Sequence, residues 1–212
     1  QVSNALRDHL SEVGSIAAGG TKKVAGLFSI VRDEADLRLP KAARHALMEV
    51  ASQIEALKAQ IEKLEKVIVA TVKRDDDARR LVTIPGVGAI TAASVRALVP
   101  DPGGFKSGRH FAAWLGLTPK PHSSGGKERL GRISKMGNPA LRSLLVVGAT
   151  AVLRHARGNP SASKWLTALL ARRPYRIVAV ALANKTARII WALLVKGGTY
   201  QDNGASNQRA AA

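Results

Sequence analysis

From residue 41 to residue 84 the chain contains neither glycine nor proline. Those two residues end helices, so their absence leaves a long helix free to form. Inside the stretch, Leu47, Val50, Ile54, Leu57, Ile61, Leu64 and Ile68 are spaced alternately three and four residues apart. That is an a/d heptad seam, flanked by Glu55, Lys58, Glu62, Lys63, Glu65 and Lys66. It predicts a helix of about 30 residues with one apolar stripe to cover. A second copy of the chain could cover it, or the first helix of the same chain folded back as an antiparallel hairpin. Both stay open, because so short a seam is marginal as a free-standing dimer. Upstream, residues 1–16 carry a helical pattern, Val24–Val31 is apolar and Pro40 marks a break.

The remainder also reads as helical. Ile84-Pro85-Gly86-Val87-Gly88 leads into small and apolar residues at helical spacing, the pattern of a helix-hairpin-helix. Two glycines permit a tight turn and close approach of a phosphate to the backbone. The next helix would aim its first N–H groups and the positive end of its dipole at that phosphate. A turn that binds nothing is the plainer alternative. Ser107 and Asn138-Pro139 are helix starts, Asn159-Pro160 repeats the second signal, and Pro174 opens a last helix ending near Lys196. Asn184, Lys185 and Arg188 interrupt that last helix, which argues for a buried core helix over a membrane span. The fold class is therefore all-α. Linker helices with a coiled-coil or hairpin segment occupy 1–75, a compact helical domain 76–198, and a polar, disordered tail 199–212.

Charge separates the two regions. Residues 1–80 hold 14 Lys+Arg and 12 Asp+Glu, whereas residues 81–212 hold 19 Lys+Arg and only Asp101, Glu128 and Asp202. So basic a segment attracts polyanions and releases counterions from a phosphate backbone. Nucleic acid is the favoured partner, with no membrane partner and a cytoplasmic location. The chain has no cysteine, which excludes disulfides, thiolate zinc sites and a cysteine nucleophile. So few acids also leave little with which to build a carboxylate metal site, and no metal or cofactor is expected in this chain.

Residues 116–137 show no helical period and read as a long irregular loop, a kind of segment that is often functional. It contains His122, Ser123 and Ser124, with Gly125 and Gly126, among Lys120, Lys127, Arg129, Arg132 and Lys135; Arg142 follows on the next helix. A serine that attacks a phosphodiester needs cations or N–H groups to stabilise the developing charge, and a base to take its proton. The loop supplies the former. His122 as the base is one option and an exposed loop histidine the other. Composition alone does not raise Ser123 above a turn serine, and Ser134 competes with it.

The order of motifs goes further. I-P-G-V-G at 84–88, F-x-x-W-L-G-L at 111–117, S-S-G-G-K at 123–127, R-I-S-K-M-G-N at 132–138 and L-R at 141–142 resemble one family. It is the one-ten family of bacterial insertion-sequence transposases, relatives of the Piv-type DNA invertases and bridge-RNA-guided recombinases. The resemblance covers residues 1 to about 200. It implies that Ser123 is the nucleophile, with Ser124 in reserve. Pro85, Gly86, Val87, Gly88, Gly125, Gly126, Lys127, Arg129, Arg132, Lys135 and Arg142 would contact nucleic acid. The partners it implies are DNA, a structured guide RNA and further copies of the chain, joined through the heptad seam. Mg²⁺ and its carboxylates would belong to an N-terminal RuvC-like domain outside this sequence. The chain then reads as a fragment, inactive by itself, of a DNA-cleaving and rejoining enzyme. The alternative is a nucleic-acid-binding and oligomerisation module without chemistry.

Overall fold

The computed structural model describes residues 2–12, 14, 21–122, 129–157, 159 and 163–201. The elements run α1 (Val2–Glu12), α2 (Thr21–Arg32), α3 (Lys41–Arg74), α4 (Asp76–Val82) and α5 (Ala89–Leu98). A 3-10 turn (Pro102–Gly104), α6 (Gly108–Trp114), β1 (Pro119–Pro121) and β2 (Leu130–Ile133) follow, then α7 (Pro139–Ala156), α8 (Lys164–Arg172) and α9 (Tyr175–Lys196). Among the described residues the fold is all-α apart from one antiparallel two-stranded ribbon. The chain divides into two compact units, residues 1–66 and 67–212.

In the first unit, Leu6 and Leu10 of α1, Leu27 and Val31 of α2, and Leu39 and Leu47 form a buried core. Val50 and Ile54 pack against it, half-buried. Arg32 reaches across to Glu55 with both carboxylate oxygens at 2.8–3.0 Å. The start of the heptad seam thus faces helices of its own chain. Leu57, Ile61 and Leu64 do not: they are 49%, 56% and 61% exposed. Arg44 is buried, and its guanidinium donates to the carbonyls of Ile30 and Val31 at 3.2 and 2.9 Å, and to those of Asp33 and Asp36. It closes the C-terminal end of α2, whose last carbonyls have no partner within the helix.

The second unit begins at Val67, ahead of residue 76, because Ile68 and Val72 on the last turns of α3 belong to its core. That helix ends where Asp75 turns extended (φ −97°) and caps α4, its side chain accepting the Ala78 N–H at 3.0 Å. The core gathers Leu81, Ile84, Val87, Val95, Phe111, Leu115, Leu117, Leu141, Leu145 and Ile190. At its centre is α9, whose Ala179, Ala183 and Ala187 recur every fourth residue and are all buried, giving a stripe of methyl groups that lets neighbours approach closely. By length and apolar composition α9 could cross a membrane; here it is the helix on which α6, α7 and α8 are packed.

Asn138 caps α7 by accepting the N–H groups of Ala140 and Leu141, and Ser107 caps α6 by accepting that of His110. Asn159 does not start α8. That helix begins at Lys164 after Ser163, and Pro160 lies outside the described residues. The tail region opens with Tyr200, half-buried against the core, its N–H bonded to Thr83 Oγ at 3.0 Å; residues 202–212 lie outside the described residues.

Candidate nucleic-acid interface

Two structures carry the candidate residues, and the first is the turn between α4 and α5. Its helices are braced by Arg96 of α5, which meets Asp75 at 3.0 Å and Asp77 at 3.1 Å. The Ala78 N–H, and then Arg96, hold the Asp75 carboxyl below its ordinary value of 3.8. Within the turn, Ile84 and Val87 are buried plugs joined by a Val87 N–H to Ile84 carbonyl bond of 3.0 Å. Pro85 and Gly88 are exposed.

The two glycines divide the work that the sequence assigns to both. Gly86 has φ +82°, and a Cβ there would fall 2.7 Å from the Gly148 carbonyl oxygen of α7. A Cβ on Gly148 would in turn run into the Gly86 carbonyl. Gly86 therefore seats the turn on α7 by backbone contact. Gly88 has φ −89°, open space where a Cβ would point, and no side chain to cap the α5 start. No side chain of its own therefore covers the first N–H groups of α5.

The second structure corrects the reading of 116–137 as an irregular loop. Pro119 pairs with Ile133 and Pro121 with Leu130, with an irregularity between them, and the His122 N–H meets the Arg129 carbonyl at 2.8 Å. The ribbon escapes pattern analysis because its strands are very short, include prolines and lie largely exposed, so no apolar alternation marks them. His122 lies over β2: a Cβ at Gly131 would fall 2.6 Å from its Nε2. Ser123, Ser124, Gly125, Gly126 and Lys127 lie outside the described residues. They belong to the segment joining the paired ends His122 and Arg129. Lys120, Arg129 and Arg132 are exposed on the ribbon, and none of them meets a carboxylate among the described residues.

The ribbon is fixed to the domain by the turn 134–137. Lys135 takes the left-handed conformation (φ 55°), and its N–H donates to the Gly116 carbonyl at 3.1 Å. The Ser134 N–H donates to the Thr118 carbonyl at 2.9 Å. Gly116 and Gly137 also have positive φ; a Cβ on the first would meet the Met136 backbone, and one on the second the Trp114 carbonyl. Arg142 holds this junction, donating to the Leu115 and Met136 carbonyls at 3.0 and 3.1 Å. Both bonds are made by one guanidinium nitrogen, Nη1. Asn184 of α9 adds a bond to the Leu117 carbonyl at 3.1 Å. Sequence reasoning missed that role, although an amide within an apolar helix was its signal.

The structure thus joins Arg129, Arg132 and Lys135 in one ribbon and turn, with Arg142 beneath. The Pro85–Gly88 turn is not part of that group. It meets α7 at Gly148, six residues beyond Arg142, which at ~100° per residue puts the two contacts about 120° apart around the helix.

Residues 78–165 match the family described as the IS116/IS110/IS902 family of transposases. A Sinorhizobium fredii protein named as a transposase (y4pF/y4sB) is 44% identical over 203 residues, 95% of this chain and 52% of that protein. The transposase for insertion sequence element IS1111A of Coxiella burnetii is 39% identical over 199 residues, 93% of this chain and 55% of that protein. The pilin gene-inverting protein of Moraxella lacunata is 36% identical over 73 residues, 34% of this chain and 23% of that protein. The chain spans about half the length of the curated transposases it matches. Residues 78–165 are thus similar to the transposase domain of the IS116/IS110/IS902 family, within a chain similar to insertion-sequence transposases over nearly its whole length.

Proposed function

We propose that the chain is part of a transposase or site-specific recombinase that cuts and rejoins DNA through Ser123. The observation that carries this reading is the family match over 78–165, which takes in both the glycine turn and the basic ribbon. Ser123 Oγ forms a bond to the phosphorus of a DNA phosphodiester. One strand oxygen leaves as a hydroxyl and takes up the proton the serine loses, and a phosphoserine link holds the other end. Attack on that link by the hydroxyl of a second strand frees the serine and completes the exchange. Arg129, Arg132 and Lys135, with Lys127, face the phosphates; Gly88 and the start of α5 take a backbone phosphate without reading bases.

Further parts of the proposal concern the whole protein. A structured guide RNA selects the DNA, copies of the chain associate through Leu57, Ile61 and Leu64, and the protein works in the cytoplasm. A RuvC-like domain supplies carboxylates and Mg²⁺. Among the described residues no three His, Asp or Glu side chains come together as a metal site, so no step through a metal is assigned to them.

The test is to trap a covalent protein–DNA adduct on the full-length protein. Ser123→Ala should lose both adduct and strand exchange while nucleic-acid binding persists. Ser124→Ala should be milder. Exchange by Ser123→Ala alongside an inactive Ser124→Ala would move the nucleophile by one residue. Exchange by both variants and by the double variant would end the serine mechanism.

A further inference from the structure

Another basic surface lies where the start of α6, the start of α8 and the second half of α9 meet, around an open groove of about 790 Å³. Its floor is tight: a Cβ on Gly108 would fall 3.1 Å from the Arg188 carbonyl and 3.2 Å from the Trp191 ring. Trp191 is fixed as one wall by its Nε1–H bond to the Pro102 carbonyl at 3.1 Å. Trp165, on α8, is 39% exposed, and the Lys185 Nζ sits 4.5 Å from its ring centre. Arg109, Lys185 and Arg188 line the groove and are exposed. None of the three meets a carboxylate among the described residues, and no acid lines the groove.

Three cations in one concave surface, with no acid among the described residues to neutralise them, fit a polyanion. The indole face beside them adds a flat apolar contact; the exposed Lys185 side chain stands over it and would turn from the ring to a phosphate as a base stacks there. A paired base is stacked inside its duplex and cannot lie on that face, whereas an unpaired one can. We propose that this groove holds an unpaired stretch of nucleic acid, one base stacked on Trp165 and the neighbouring phosphates on Arg109, Lys185 and Arg188. The proposal rests on the reading of the chain as a nucleic-acid-acting protein and needs none of the serine chemistry.

The experiment measures fluorescence anisotropy of labelled oligonucleotides of about 20 nucleotides against the full chain. DNA and RNA single strands of one sequence are compared with the matching DNA duplex. Trp165→Ala should weaken single-strand binding about tenfold and change duplex binding less than about twofold. Trp165→Phe should restore most of the loss. The double variant Arg109→Gln/Arg188→Gln, at exposed positions that leave the core untouched, should also weaken single-strand binding about tenfold and flatten its salt dependence. Loss confined to DNA or to RNA supports the groove and names its strand. Unchanged single-strand binding in the double variant overturns the proposal, as does equal loss on single strand and duplex. Loss in Gly88 variants with none in groove variants overturns the groove alone. A chain that binds no nucleic acid overturns the groove and the reading beneath it together.

Discussion

A methyl group added at Gly86 meets two obstacles at once, a left-handed backbone (φ +82°) and the Gly148 carbonyl at 2.7 Å. Gly86→Ala should therefore cost about 2–4 kcal/mol of stability, from the strained φ and from overpacking. Gly88→Ala has neither obstacle, and should cost under about 1 kcal/mol, the difference between the two residues as helix caps. Thermal melts of the two variants check this, and equal losses would place Gly88 in the packing as well. Nucleic-acid contact by the turn is consequently best read from Gly88 variants, which stay folded. Arg142 needs the same distinction. Its loss would leave two carbonyls without their donor, so weakened binding by an alanine variant would report a loosened ribbon before a missing phosphate contact.

Asp75 shows what one carboxylate does for an element. It ends α3, caps α4 and pairs with Arg96 of α5. Asp75→Ala should cost about 1–2 kcal/mol through the lost cap. Its folded-state pKa is lowered, so the contribution is complete above the ordinary carboxylate pKa of 3.8 and is lost as pH falls below it. The stability gap between parent and variant should accordingly be constant near neutral pH and close under acid; a gap that stays open at low pH would show that the charge does not carry it. In α3, three seam positions are exposed. Leu57→Lys/Leu64→Lys should leave the helical signal and the first core intact while reducing the sedimenting mass of the chain at micromolar concentration. An unchanged mass would remove that face from any oligomer. The seam was legible in the sequence as a period. Its division was not, because spacing says which residues share a face but not what covers each part of it; Leu47 finds α1 and α2, and Leu57 stays half exposed. Caps at Ser107 and Asn138 were legible because they rest on local hydrogen bonds. The ribbon was not, since its pairing joins exposed segments with no apolar signature.

At the scale of the molecule, charge was the most legible property and geometry the least. The excess of cations beyond residue 80 follows from a count, but how each is engaged does not: Arg96 pairs with acids and Arg142 Nη1 with carbonyls, while Arg109 and Arg188 meet no carboxylate among the described residues. Binding of this chain to DNA should fall steeply with salt, by about 10³-fold or more between roughly 50 and 200 mM if six or more phosphates are met. A shallow slope would mean that few of the cations touch the ligand. The glycine contacts have a consequence on another timescale. Where a large side chain faces a small one, a family of sequences can drift, because one side shrinks as the other grows. Gly86 against Gly148 allows no such exchange, since both residues are already the smallest there is, and Gly116 and Gly137 each face backbone that cannot be shortened. No second substitution can rescue a first at these places. Variation among descendants of this sequence is therefore expected to flow around four fixed points, and the seat of the 84–88 turn on α7 and the join between the turns at 114–116 and 135–137 should outlast most of the side chains that surround them.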